Sequence, residues 1–135
     1  MEGFFHMKSG VAAGAIGGLV GSIVAVLIVA LESLFVGLEP TPVPVEQIVV
    51  TFFVITIIFG AIFGVIYQKL HDPIPGTGIL KGVYFGLMVY LIKDIAIAPY
   101  LAFIDMQTQL AIDYVFIGIF MWIPYGAVLG ALYKK

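Results

Sequence analysis

Four long apolar stretches, each ended by a short polar or proline-rich segment, set the organisation of the chain. They run over roughly 9–37, 46–69, 79–104 and 110–133. Each is longer than the roughly 20 residues an α-helix needs to cross a hydrocarbon core about 30 Å thick. The first break, EPTPVPVEQ, carries three prolines and favours an extended turn over helix. The second, HDPIPGTG, is a turn of the same kind, and the third, around DMQTQ, is short enough to make the last two spans an antiparallel hairpin. The pattern predicts an all-α integral membrane protein, a four-helix transmembrane bundle in one domain over residues 1–135, with the lipid bilayer as its first partner.

Composition agrees. Hydrophobic residues make up 62% of the chain and charged ones 10%, against about a quarter charged in soluble domains. A net charge of −2 leaves no basic patch for nucleic acid. The absence of cysteine excludes disulfides, thiolate chemistry and Cys-ligated metals. The first apolar stretch is too long for a signal peptide, and no small-x-small cleavage site follows it.

Charge also gives an orientation. Lys8, Lys69, Lys81, Lys134 and Lys135 all fall at one end of the predicted bundle, and lysines near span ends are retained on the cytoplasmic side. Both termini are therefore expected in the cytoplasm, in a membrane of the prokaryotic plasma-membrane type. The opposite end carries Glu32, Glu39, Glu46, Asp105 and Asp113. Those acids either solvate the loops or make a face that concentrates cations.

The spans repeat. FGAIFGVIYQK (59–69) matches YGAVLGALYKK (125–135), and SGVAAG (9–14) matches KGVYFG (81–86) more weakly. The chain thus reads as two helix pairs in parallel relation, an arrangement found in transporters but also a plain consequence of duplication. Each span has small residues four apart near its lysine end: Gly10/Gly14/Gly18, Gly60/Gly64, Gly82/Gly86 and Gly126/Gly130. Glycines at this spacing let backbones approach closely in lipid, where the hydrophobic effect does not drive helices together. The lysine half is expected to be tightly packed and the acidic half looser.

Against this background Lys93 and Asp94 stand out, side by side in the middle of the third span. Lys93 follows Gly82 by eleven residues, a rise of about 16 Å, which places it near mid-membrane. At about 100° per residue it falls on the Gly82/Gly86 stripe with Val89 and Tyr100, facing other helices, and Asp94 falls at the edge of that stripe. Repeat alignment sets the pair opposite Gly21 and Ser22, so Ser22 offers a hydroxyl at the same depth. A charge at the bilayer centre costs about 2.5–3.5 kcal/mol on insertion scales, and such residues mark ion paths, proton relays or partner contacts. Glu32 also faces inward, about 33 Å along the helix from Gly10 and so at the outer boundary.

Other motifs carry less. His6, His71 and Asp72 form a weak metal-ligand set with no fixed geometry. GTGILKG lacks the spacing of a phosphate loop. Pro99 and Pro124 free the carbonyls of Ile95 and Phe120, and Trp122 reads as a packing residue. No nucleophile sits with a base, so no catalysis and no cofactor are expected. Two functions remain: an accessory subunit of a larger membrane complex, built on glycine-stripe packing and an intramembrane Lys–Asp contact, or a homo-oligomeric channel or transporter for a small ion or proton using Lys93 and Asp94.

Overall fold

The computed structural model describes residues 9–37 and 42–134, and among these the regular structure is helical apart from an isolated bridge at Tyr133. Four helices are long and apolar enough to cross a membrane: α1 (Gly10–Val36), α2 (Val45–Lys69), α3 (Gly78–Phe103) and α4 (Thr108–Leu132).

Local chemistry explains the ends. Ser9 caps α1, its hydroxyl accepting the Ala12 N–H at 3.2 Å. The Gly10 N–H is taken by Gln68 Oε1 at 2.8 Å, so the last turn of α2 completes the cap of α1. Pro44 precedes α2, with Glu46 in its first turn and Lys69 in its last, both matched to the helix dipole. Gly76 and Gly78, at φ 88° and 54°, turn the chain into α3. Met106, at φ 58°, reverses it into α4.

In space α1 lies between α2 and α4, and α4 lies between α1 and α3. The glycines sit where backbones meet. A Cβ on Gly10 would collide with the Gly64 carbonyl, one on Gly14 with that of Gly60, one on Gly82 with that of Gly126, and one on Gly86 with that of Trp122. Gly17 and Gly21 make room for Tyr125 and Met121 between α1 and α4. The Tyr125 hydroxyl reaches past α1 to donate to the Gly60 carbonyl at 2.7 Å.

Below these contacts, toward the lysine end, the ring of Tyr67 packs at 5.1 Å from Phe85 and 5.6 Å from Tyr133. Lys81, at the lysine end, is buried there and donates to the carbonyls of His71 and Ile74 at 2.5 and 2.6 Å. It ties the α2–α3 turn to α3. The lysine half is therefore filled, whereas the acidic half holds several cavities between the helices.

Candidate functional site: the Lys93–Asp94 pair

The decisive feature is a change of pitch in α3. Residues Leu91–Ile95 form a π turn between the α-helical segments Gly78–Tyr90 and Ala96–Phe103. A π turn takes one residue more than an α turn, and such turns recur at functional sites. The side chains beyond it are offset by about 100° from where an unbroken helix puts them.

This moves Asp94 from the edge of the glycine stripe to its centre, with Lys93 beside it. Asp94 is 2% exposed, and the Lys93 side chain, 33% exposed, still faces α2 and α4. The same offset buries Ala98 and Leu101 and turns Tyr100 outward. Pro99 follows one turn later and has no N–H to give the Ile95 carbonyl.

The Asp94 carboxylate is held from two sides. Its Oδ2 accepts the Trp122 indole N–H at 2.9 Å, and its Oδ1 lies 3.3 Å from Lys93 Nζ. Gly118 provides the room, since a Cβ there would collide with Oδ2 and lie 3.0 Å from the Tyr90 ring. Tyr90 is fixed in turn by donating its hydroxyl to the Val115 carbonyl at 2.6 Å. Trp122 is thus a polar partner as well as a packing residue, a second correction to the sequence reading.

Lys93 reaches across a cleft between α2 and α4. Its Nζ lies 5.6 Å from the ring centre of Trp122, 5.7 Å from that of Tyr114 and 6.0 Å from that of Phe59, within cation–π range. An ammonium carries three N–H donors. Among the described residues Asp94 is the hydrogen-bond acceptor it meets. Two cavities, of about 240 and 150 Å³, flank the ammonium and share Phe52, Tyr114 and Met121 as lining.

The remaining candidates lie elsewhere. Ser22 is buried, but its hydroxyl donates to the Gly18 carbonyl of its own helix at 2.8 Å, while Asp94 is met by Lys93 and Trp122. Glu32 is exposed and lines a groove with Gln109 and Asp113. His71 Nδ1 lies 3.6 Å from Asp72 Oδ1, and the His71 ring packs against Tyr67 and Tyr133. His6 is outside the described residues, and among those residues no three potential metal ligands lie together.

Gly118, Tyr90, Tyr114 and Phe59 were not singled out from the sequence. One signal was available for the first: Gly118, Trp122, Gly126 and Gly130 stand four apart, so Trp122 interrupts a glycine stripe at the depth of Asp94. Comparison with family models, with curated proteins and with solved structures finds no match for this chain.

Proposed function

We propose that the chain is a non-catalytic subunit of a larger membrane assembly and that it engages its partner at mid-membrane through Lys93. The observation that carries this reading is an ammonium, one-third exposed in an apolar helix, with a single carboxylate contact at 3.3 Å. Leaving N–H donors without acceptors in hydrocarbon is costly. A transmembrane helix of an unlike chain, entering beside Phe59 and Ile55 with a carboxylate or carbonyl at that depth, supplies what Lys93 lacks. Asp94 keeps its hydrogen bond from Trp122 throughout.

The glycine contacts serve this role by making a stiff base. In this reading the two helix pairs are related in parallel, both termini face the cytoplasm, and the GxxxG contacts hold each pair together. A specific difference between the pairs produces the docking place. Gly21 leaves space for Met121 and Tyr125 between α1 and α4. The residue aligned with it in the second pair is Lys93, whose side chain occupies the cleft between α2 and α4.

The second reading, a homo-oligomeric channel or transporter, draws on the cavities of the acidic half. The lysine half is filled by backbone contacts and the Tyr67–Phe85–Tyr133 cluster, so in that reading a pore runs between copies. Purification in mild detergent followed by mass spectrometry separates the two. Unlike chains in stoichiometric yield support the subunit; a pure homo-oligomer supports the alternative.

A further inference from the structure

The cavity beside Lys93 does not end at the pair. It is lined by Phe52, Lys93, Asp94, Tyr114, Asp113 and Ile117, among others, and has a volume of about 240 Å³. A second cavity of about 340 Å³ lies between α1 and α4 and is lined by Glu32, Gln109, Asp113 and Ile117, among others. Asp113 and Ile117 belong to both walls. Asp113 is positioned there by Gln109, whose Nε2 donates to its Oδ1 at 3.1 Å.

The two spaces together run from the acid-rich end of the bundle to the π turn of α3. Beyond them Met121 and Trp122 are buried, and the Tyr125–Gly60 bond and the glycine contacts close the way. Glu32, Gln109, Asp113, Lys93 and Asp94 punctuate the route with polar groups, and buried water needs such partners to be held. A third cavity, lined by Ala25, Val49 and Ile117 among others, has no charged residue in its wall, and cavities of that kind stay dry.

We propose that the two cavities with charged residues in their walls are one blind aqueous vestibule, which admits water and small inorganic cations to Lys93–Asp94 from the acidic end and stops there. Three carboxyl side chains along it face one ammonium, and clefts of one sign with low-dielectric walls raise the local concentration of counter-ions. The mouth of this vestibule lies between α1 and α4, apart from the docking cleft between α2 and α4, although Phe52, Tyr114 and Met121 line the space on both sides of Lys93. The pair then exchanges with one aqueous compartment only.

The chain has no cysteine, so single cysteines report access directly. Ile117→Cys probes the shared wall and Met121→Cys the floor. Each is reconstituted into sealed vesicles whose orientation is scored by protease removal of a C-terminal tag. A membrane-impermeant cationic thiosulfonate added at the acidic face is expected to modify both, about tenfold faster than its anionic counterpart. The preference should shrink in an Asp113→Asn background, and reagent at the lysine face should modify neither.

Gln107→Cys, on the acidic-end turn, is the reagent control, and elution volume in detergent is the folding control. If Ile117→Cys misfolds, Met121→Cys decides. Failure of the folded variants to react from the acidic face while Gln107→Cys reacts overturns the vestibule. Equal reaction from the lysine face overturns its one-sidedness, and equal rates for the two reagents overturn the admission of cations.

Discussion

Removing Lys93 should harm the protein more than removing Lys93 and Asp94 together. Asp94 is 2% exposed and has two donors, Lys93 Nζ at 3.3 Å and Trp122 Nε1 at 2.9 Å. Lys93→Leu leaves the carboxylate with the indole alone. Stranding one member of a buried pair typically costs about 3–5 kcal/mol; uptake of a proton by Asp94 limits the loss, so about 3 kcal/mol is expected. Relative to Lys93→Leu, Lys93→Leu/Asp94→Leu strands only the Trp122 N–H, worth about 1–3 kcal/mol, and relieves the remaining charge of Asp94, which costs about 2.5–3.5 kcal/mol at the bilayer centre. The double variant should therefore recover about 1–2 kcal/mol over Lys93→Leu, a five- to thirtyfold change in the folding equilibrium at about 1.4 kcal/mol per tenfold. The assay is reversible unfolding in mixed micelles, followed by tryptophan fluorescence, which the single Trp122 makes site-specific. A double variant as unstable as the sum of the two single ones would refute the pairing. Three variants equal to wild type would show both charges reaching water without consequence.

Two further predictions use other contacts. Gly82→Leu should dissociate α3 from α4, because even a Cβ at that position meets the Gly126 carbonyl; a loss above about 2 kcal/mol in the same unfolding assay is expected, and an unchanged midpoint would mean that the stripe faces lipid. For orientation, a C-terminal tag should be protected in intact cells while Gln107→Cys is labelled by an impermeant maleimide from outside; the reverse pattern would overturn the cytoplasmic placement of the termini.

The sequence made the four spans legible to within two residues at either end, because apolar length and Pro/Gly breaks are strong local signals. The 46–69 expectation against Val45–Lys69 is typical. The site was half legible. Lys93 and Asp94 could be found by their charge, but not their directions, since a fixed 100° step cannot include the extra residue of the Leu91–Ile95 π turn. Pro99 hinted at a disturbed helix without specifying which residue would be accommodated. The Asp94–Trp122 bond joins residues 28 apart, and nothing in the neighbourhood of either announces the other. Ser22 shows the opposite failure: alignment gave the right depth, but the hydroxyl had a closer acceptor in its own helix at Gly18.

The central claim is that Lys93 meets an unlike chain inside the membrane, and a photo-crosslinker at Ile55 tests it most directly. Ile55 is exposed on α2 and lines the cavity that also holds Lys93, Phe59 and Trp122. With benzoylphenylalanine there, irradiation of intact membranes is expected to trap one membrane protein of different sequence, identified by mass spectrometry. Lys93→Leu in the same background should reduce the yield about tenfold, the equivalent of about 1.4 kcal/mol. Capture of a second copy of this chain, of lipid alone, or of the same partner in undiminished yield without Lys93 would contradict the account.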